Sequence, residues 1–513
     1  MVPYAVQGAA LTAPAQIQPH PRRWLILGVI CLAHLTVLLD NTVLNVAIPS
    51  LTKGMGASTA DIQWMISAYS LAQSGLLLTV GSAADRYGRK RALMTGLGLF
   101  GIGSLIASLA ESPGELIAAR AGMGVGGAIL MTSTLAVIVQ VFDAEERVRA
   151  IGLWSTVLTF GFAAGPLIGG VLLNRFWWGS IFLVNVPVAV LGLTAVTVYV
   201  PESRNPLGDR PDLPGAGLSV IGMLGIVYAI ISGPVHGWSS SDVLLPAFVG
   251  IAGMTGFALW ERRTPHPMLD LRFFRDRRFV GAVAGGVLVA FGMGGSLFLL
   301  TQHLQFVLGY GPLKAGLCTV PLALSIALLN ILGVGARLLR RLGTAGVVVL
   351  GMTLIALGLA LVSVLGRHGY GGMVVGLITM GVGIAMASPA MGAAIMGAIP
   401  PERAGIGAGV NGTLTEFGNG LGNAVLGAVL NSRFAALLPA TIGAGSLPAA
   451  LAAAHGQEQR TAVAHAFASG VSVSQLVGAA AVLAGGLLAA FLLHRADRAD
   501  SDRRSPAPAE VAA

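Results

Sequence analysis

Three ionisable residues, Asp40, Arg120 and Glu416, interrupt long apolar stretches of the sequence. A charged side chain is costly in the middle of a bilayer, so residues of this kind are candidates for function. A carboxyl group away from water favours its protonated form and can exchange a proton or face a cation. Arginine stays charged at physiological pH, so Arg120 can hold a carboxylate or an anion but cannot carry the proton. The structural alternatives are an interfacial network at Asp40, an ion pair at Arg120 and amide hydrogen bonds at Glu416.

Polar neighbours accompany both carboxyl groups. Thr36 lies one turn before the aspartate on the same helix face, and Asn41 belongs to a neighbouring polar stripe. In the other segment, Asn419 and Asn423 follow Glu416 at i+3 and i+7 and share its face. We therefore expect these helix faces to border an aqueous cleft. The candidate lining residues near the carboxyl groups are Thr36, Asn41, Asn411, Asn419 and Asn423.

The composition excludes most other classes of protein. Hydrophobic residues make up 55% of the 513 residues and charged residues 10%, and the mean hydropathy is +0.79. Soluble domains carry about 25% charged residues, and disordered or nucleic-acid-binding chains need abundant, clustered charge. The chain is therefore predicted to be an all-α polytopic membrane protein with no nucleic-acid partner.

Fourteen apolar runs are long enough to cross a hydrocarbon core, which needs roughly 20 residues per helix. The predicted spans lie near Trp24–Leu44, Gln63–Ala83, Ala92–Ala110, Leu116–Val139, Ile151–Leu172, Trp178–Val200, Gly215–Ser232, Val243–Trp260, Phe279–Leu300, Ala315–Ala336, Ala345–Leu365, Gly371–Ile399, Gly405–Leu430 and Val471–Leu493. Alternate connections hold 24 and six of the 31 Lys and Arg residues. Because basic residues are enriched on the cytoplasmic side, this bias predicts a multi-pass cell-membrane protein with both termini in the cytoplasm.

The segment Gly81–Arg91 joins two spans in very few residues. Gly88 permits a tight turn, and we expect Asp85 to cap a helix amino end. The basic residues of the segment are expected to meet acids of the next cytoplasmic connection, although positive-inside signalling alone is an alternative. The candidate acids are Asp143, Glu145 and Glu146.

The fifth predicted span is rich in glycine. Gly161, Gly165 and Gly169 recur every four residues, which gives a flat helix face that another helix can approach closely. Pro166 removes one backbone hydrogen bond and bends the helix. The pattern predicts a tight helix contact in this span.

The order of these motifs resembles the major facilitator superfamily, in particular its fourteen-helix drug:proton antiporter branch. Leu39–Pro49 is similar to the first-helix motif of this branch and Arg120 to its fourth-helix motif. Trp64 and Tyr69 fit its second-helix pattern. The signature turn of the superfamily is similar to the segment with Gly81, Asp85, Arg86, Gly88, Arg89 and Lys90. The antiporter motif is similar to the segment with Gly161, Gly165, Pro166, Gly169 and Gly170.

The resemblance implies two six-helix bundles around a central cleft, with two additional central helices between them. The implied division is a cytoplasmic tail at 1–23, bundles at 24–200 and 279–493, an insertion at 201–278 and a tail at 494–513. Within the second bundle, 431–470 is expected to be an external loop, containing an exposed hairpin or a short amphipathic helix near Gln457–Phe467.

The function implied by the resemblance is efflux of lipophilic cationic or neutral drugs or antibiotics, in exchange for protons and by alternating access. The family places the proton or cation at Asp40 and Glu416, and Trp64 and Tyr69 then join the cleft. Some members carry another acid in the tenth span, where this chain has Ser325, which argues against dicationic substrates. The turn at Gly81–Arg91 is expected to latch the outward-open state.

Two other transport functions stay open: a dedicated exporter of one endogenous metabolite or antibiotic, and a proton-coupled uptake symporter, which the antiporter motif disfavours. We expect that the protein is not an enzyme, because the sequence has no nucleophile elbow, phosphate loop or His/Cys/Asp cluster at metal-ligand spacing. No cofactor or metal is expected, and the proton gradient is expected to be the energy source. The expected partners are the lipophilic substrate, protons and the lipid bilayer, and the carrier is expected to be a monomer.

Overall fold

The computed structural model describes residues 21–204, 211–265, 267–366, 369–399, 404–439, 442 and 447–504. Residues 1–20 and 505–513 of the two predicted tails lie outside this set. The described part of the chain is helical throughout and contains no strand, which confirms the predicted all-α fold.

Sixteen α-helices follow one another in the described residues. They are α1 (Arg23–Met55), α2 (Thr59–Tyr87), α3 (Arg89–Ser108), α4 (Pro113–Val141), α5 (Ala144–Arg175), α6 (Ser180–Leu183), α7 (Asn185–Tyr199), α8 (Leu213–His236), α9 (Ser241–Glu261), α10 (Arg277–Gln302), α11 (Pro312–Ile331), α12 (Val334–Leu365), α13 (Tyr370–Gly397), α14 (Ala404–Leu437), α15 (Leu447–Ala453) and α16 (Gly456–Arg504). A short 3-10 helix, Leu271–Arg275, precedes α10, and a π-helical turn, His303–Val307, ends it.

Local signals set several of these boundaries. Gly56 ends α1 in the left-handed region (φ 67°), and Ser58 then opens α2 with a capping box. In this box the Ser58 hydroxyl accepts from the Asp61 N–H at 3.1 Å, and Asp61 accepts from the Ser58 N–H at 2.9 Å. Pro113 occupies the first turn of α4, where its missing N–H costs nothing. These caps make the connections between neighbouring spans short.

Eleven helical stretches of the described chain are long and apolar enough to cross a membrane. One of them combines α6 and α7, and another is α10 with its π-helical end. The other three predicted spans coincide with α2, α5 and α14, which contain 29, 32 and 34 residues. At about 1.5 Å per residue, each exceeds a hydrocarbon core of about 30 Å. The structure is consistent with the predicted fourteen crossings.

The helices pack in two groups joined along three seams. In the first group α1 packs on α5 and α7, α2 packs on α4, and α3 packs on α4 and α7. In the second group α10 packs on α14 and α16, α12 packs on α13 and α16, and α11 packs on α13. The seams between the groups are α2 with α14, α5 with α11 and α1 with α10, and the α8–α9 hairpin packs on α2 and α14.

The two ends of the molecule differ in charge. One end, which we call the basic face, holds the start of α1 at Arg23 and the α2–α3 turn at Gly88. There Arg23 forms an ion pair with Glu146 in the first turn of α5, which ties the start of α1 to the α4–α5 connection. The other end, which we call the opposite face, holds the α1–α2 connection at Gly56.

Glycine pairs bring neighbouring helices into backbone contact. A Cβ added at Gly358 of α12 would lie 2.7 Å from the carbonyl oxygen of Gly376 in α13, and the reverse distance is 2.8 Å. Gly225 of α8 and Gly250 of α9 form a similar pair, at 2.7 and 2.9 Å from each other's backbone. In lipid, where apolar burial does not drive association, close packing of this kind holds helices together.

Most of the described residues of the segment 431–470 are helical. α14 continues to Leu437, α15 covers Leu447–Ala453, and α16 begins at Gly456 and runs on into the last span. Phe467 is buried, with its ring 5.6 Å from that of Phe434 and 6.1 Å from that of Phe306. Helical structure therefore covers Gln457–Phe467, and Phe467 packs on residues of the second helix group.

The tenth predicted span also ends earlier than expected. α11 stops at Ile331, and the basic residues that follow belong to α12, which is interrupted at Gly343 by a non-helical backbone (φ 69°, ψ 174°). Before this kink, Arg337 and Arg340 are exposed while Leu338 is half-buried. The segment 334–342 is thus a short amphipathic helix, a form that suits the membrane surface.

We expect Gly376→Leu to destabilise the protein by about 1–3 kcal/mol or more, because the new side chain meets the α12 backbone. The matched control is Gly371→Leu in the same helix, where an added Cβ meets nothing within 4 Å. Since leucine is a better helix former than glycine, the control should lose no stability. Thermal unfolding of the purified protein in detergent measures both. Equal losses at the two positions would contradict the packing argument.

Candidate functional site

Asp40 of α1 and Arg120 of α4 form an ion pair at the centre of the first helix group. Their side chains are 0% and 1% exposed. The Arg120 Nε–H also donates to the carbonyl oxygen of Met65 at 3.0 Å, and its guanidinium lies 4.3 Å from the centre of the Tyr69 ring. The pair is compatible with both interpretations of Arg120, a cation that holds a functional carboxylate and a structural ion pair. It joins α1, α2 and α4.

Glu416 of α14 lies across the seam from this pair and is buried, at 5% exposed. Its Oε1 accepts from the Asn41 side-chain amide at 3.4 Å, a long hydrogen bond from α1. Ser70 of α2 also interacts with this carboxyl group. Its Oε2 has no hydrogen-bond partner among the described residues. Neutral groups thus hold Glu416, whereas Asp40 has a cation in direct contact.

Several other buried polar atoms in the described chain have no protein partner. They include both ring nitrogens of His34, Asp40 Oδ1, the Tyr69 hydroxyl, Gln73 Oε1, Trp154 Nε1, and the side-chain oxygens of Asn419 and Asn423. Buried polar groups are nearly always hydrogen-bonded in folded proteins. Atoms of this kind, gathered on α1, α2, α5 and α14, are free to bind water or a polar group of a transported molecule.

The predicted cleft residues fall into different surroundings. Tyr69 and Asn41 contact the charged cluster, as described above. The Thr36 hydroxyl donates to the Ala33 carbonyl of its own helix at 2.7 Å. Asn411 is exposed near the start of α14. Trp64 packs 5.6 Å from the Tyr228 ring of α8, so it belongs to the seam between α2 and the inserted hairpin.

Polar side chains also bridge the two groups toward the opposite face. The Gln63 amide of α2 donates to the carbonyl oxygens of Asn423 and Ala424 at 3.2 and 3.1 Å, and accepts from Asn431 at 3.2 Å. The Gln305 amide donates to the Val46 carbonyl at 3.0 Å. Sequence reasoning missed both glutamines. The available signal was an amide side chain at the edge of an apolar run, which is costly to bury without a partner.

The glycines of α5 face two different helices. A Cβ at Gly161 would lie 2.9 Å from Leu38 Cβ, and additions at Gly165 and Gly169 would collide with Thr42 and Val43, all on α1. Gly170 instead faces α11, where an added Cβ would lie 2.7 Å from Leu313 Cα. The same backbone comes close to α11 again at Pro166, whose carbonyl faces Gly316. The motif therefore packs α5 on α1 and also across the seam.

The α2–α3 turn is held by its own residues and by the chain after α7. Asp85 accepts from the Arg89 guanidinium at 2.8 Å, and Gly88 has a φ of 123°. The Arg89 N–H donates to the Ser203 carbonyl at 2.9 Å, and the Lys90 ammonium donates to the Thr197 carbonyl at 2.8 Å. The turn is thereby fastened to the end of α7.

The acid that contacts Lys90 and Arg91 of this turn is not among the predicted ones. Glu202 accepts from the Lys90 N–H at 3.2 Å and lies 3.6 Å from the Arg91 guanidinium. Of the predicted acids, Asp143 caps α5 and Glu146 pairs with Arg23, while nothing is described of the Glu145 side chain. Asp85 binds a side chain where a helix cap was expected. The segment after α7 packs against the turn, and this contact cannot be inferred from the spacing of residues along the sequence.

Comparisons with known proteins agree with this architecture. The sequence pattern of the Major Facilitator Superfamily matches residues 30–423. Multidrug resistance protein Stp of Mycobacterium tuberculosis is 36% identical over 408 residues, covering 79% of this chain and 75% of Stp. Multidrug efflux pump LfrA of Mycolicibacterium smegmatis is 32% identical over 500 residues, covering 94% of this chain and 98% of LfrA.

A solved structure shows the same fold at low sequence identity. The bacterial homologue of the lysosomal transporter Spinster, in an inward-facing conformation, aligns with a TM-score of 0.63 and 19% identity, over 93% of this chain and 99% of that one. The helical architecture, the buried charges and the sequence match together define a polytopic membrane transporter. The chain belongs to the Major Facilitator Superfamily.

We expect Asp40→Asn and Arg120→Gln each to destabilise the protein by about 3–5 kcal/mol, because each leaves a buried charge unpaired. The double variant should recover much of this loss, since it leaves neither charge behind. Thermal unfolding of the four proteins in detergent gives the coupling energy. Purely additive losses would show that the pair makes no joint contribution.

Proposed function

We propose that this protein is a drug:proton antiporter that exports lipophilic monovalent cations or neutral molecules across the cell membrane. The observation that carries the proposal is Glu416: a buried carboxyl group at the seam of the two helix groups, held by neutral groups and with one oxygen unpartnered. The names of Stp and LfrA, a multidrug resistance protein and a multidrug efflux pump, support efflux as the direction of transport.

The two carboxyl groups have different roles in this proposal. Asp40 is compensated by Arg120, so its charge positions α1 against α4 and does not exchange during transport. Glu416 has no cation in direct contact, so ionising its carboxyl group away from water has a large free-energy cost. Binding of a proton or of a substrate cation removes that cost, but the two cannot bind at the same time. Binding of one therefore displaces the other, which is the requirement for exchange.

Alternating access supplies the route for both ligands. Bridges at Gln63 and Gln305 join the two groups near the opposite face, which the distribution of Lys and Arg assigns to the outside. In the proposed cycle the bundles 24–200 and 279–493 rock apart at that face, protons reach Glu416, and the substrate leaves. Both termini are then cytoplasmic, the carrier works as a monomer, and the proton gradient is its energy source without another cofactor.

The surroundings of Glu416 favour lipophilic substrates. Phe417, the next residue, packs with Trp64 and Met254 against an apolar cluster that includes Met223, at the seam with the α8–α9 hairpin. Aromatic faces attract cations, and methionine adapts to differently shaped apolar groups. Because adaptable packing tolerates many shapes, and both named relatives are called multidrug proteins, a dedicated exporter of one metabolite is not favoured.

We expect Glu416→Gln to abolish proton-coupled efflux while the protein stays folded in the membrane. In everted vesicles, a pH gradient should drive substrate uptake by the wild type and by the control Glu111→Gln, an exposed acid, but not by Glu416→Gln. Binding of a cationic dye to the wild type should strengthen by up to about tenfold per pH unit as the pH rises, because each cation displaces one proton. The Glu416→Gln substitution should remove that slope. A variant that retains gradient-driven transport would refute the assignment.

A covalent tie between α2 and α14 should stop transport by holding the opposite face closed. Gln63→Cys and Asn431→Cys would be joined with a short bifunctional thiol reagent, after replacing the native Cys31 and Cys318. We expect efflux to fall to background after cross-linking and to be unaffected by the same reagent in either single variant. Continued efflux by the cross-linked protein would show that this seam does not open.

A further inference from the structure

A second pair of buried carboxyl groups lies at the basic face, away from Glu416. Asp212 caps the start of α8 and is 7% exposed. Its Oδ1 accepts from the Gly215 N–H at 2.9 Å, and the Trp260 indole N–H donates to both of its oxygens at 2.9 and 3.1 Å. Both oxygens of this carboxyl group therefore accept hydrogen bonds from N–H donors.

Glu261, the last residue of α9, faces this carboxylate and is 4% exposed. Its Oε2 accepts from the Leu269 N–H at 3.1 Å, while its Oε1 has no partner in the described chain. A Cβ added at Gly215 would lie 2.5 Å from Asp212 Oδ2 and 2.9 Å from Glu261 Oε1. The two oxygens are therefore no farther apart than the sum of these two distances, and the side chains of Glu261 and Asp212 interact by hydrogen bonding.

Two carboxyl groups in contact and away from water cannot both be ionised without a large cost. Asp212 already receives donors, so the economical arrangement is a protonated Glu261 whose O–H donates to Asp212. The groups that act on the Glu261 carboxyl are Asp212 and the amides of Met268 and Leu269. Charged residues on the adjoining segments are Asp85 and Arg86 of α2, Arg262 and Arg263 after α9, and Asp270 in the connection to α10.

The pair also lies where three parts of the chain meet. The Thr79 hydroxyl of α2 is 3.4 Å from the Asp212 carbonyl and 3.2 Å from Met268 Sδ. Leu269, bound by Glu261, belongs to the connection that leads from the inserted hairpin into α10. Loss of the shared proton would set two like charges against each other at the point that ties this connection to α2.

We propose that Asp212 and Glu261 form a second proton-binding site, which holds one proton at neutral pH and fastens the α9–α10 connection to the hairpin and to α2. The bound proton makes the fold responsive to pH at the basic face. Because the site is separate from Glu416, its test requires no transport and does not depend on the antiport proposal.

The experiment measures the stability of the purified protein in detergent as a function of pH. Above about pH 5, an unfolded glutamate is ionised while the folded site keeps its proton, so the wild type should lose stability as the pH rises. Glu261→Gln supplies a permanent N–H donor to Asp212 and should remove the part of this loss that Glu261 causes, and the part that Glu416 causes should remain. The advantage of the variant should grow by up to about tenfold in the unfolding equilibrium constant per pH unit.

Controls separate this result from other causes. Asp242→Asn removes an exposed acid at the other end of α9 and should follow the wild-type profile. Asp212→Asn keeps an acceptor for Gly215 and Trp260 and offers a donor to Glu261, so it should also flatten the profile and serves if Glu261→Gln does not fold. Parallel profiles for all proteins would overturn the proposal, as would stability at high pH that depends on added metal cations.

Infrared spectroscopy gives an independent measurement. At neutral pH the wild type should show the carbonyl band of a protonated, water-excluded carboxyl group. Because Glu416 can hold a proton of the same kind, each single variant, Glu261→Gln and Glu416→Gln, should lose part of the band, and the double variant should lose both parts. The presence of the band in Glu261→Gln at full intensity would show that Glu261 does not hold the proton.

Discussion

The cost of leaving a charge uncompensated in a water-poor interior is the constraint on which the rest of this structure depends. Asp40 and Arg120 meet it by pairing, and the pair fixes α1, α2 and α4 relative to one another. Glu416 does not meet it within the described chain, because its contacts are neutral. The same physical penalty is thus offset at Asp40 by a cation in direct contact, whereas the direct contacts of Glu416 are neutral.

The contacts within and between the helix groups differ in kind. Within the groups, glycine pairs such as Gly358 and Gly376 bring backbones together over surfaces that hydrocarbon cannot easily enter. Between the groups, α5 meets α11 through the glycine motif, whereas α2 meets α14 through the Gln63 amide. Hydrogen bonds of this second kind exchange readily for bonds to water, so the α2–α14 seam can part without disrupting either group.

The inserted hairpin is fastened to the carrier by polar contacts at one end. Thr79 of α2 contacts Asp212 and Met268, and it lies in the same helix that ends at the α2–α3 turn. Glu202 holds that turn from the other side. Any displacement of α2 would therefore be transmitted both to the α8–α9 hairpin and to the chain after α7.

The sequence by itself determined the all-α membrane class, the deep ionisable residues and the family, because a hydrocarbon core imposes long apolar runs and makes each interruption visible. It could not determine partners. Asp40 and Arg120 lie 80 residues apart, and Asn41 and Glu416 lie 375 residues apart. Likewise Glu202, which is not among the predicted acids, contacts Lys90 and Arg91 of the basic turn. Periodicity shows which residues share a helix face, but only the packing of helices decides which faces meet and therefore which buried charge is left uncompensated.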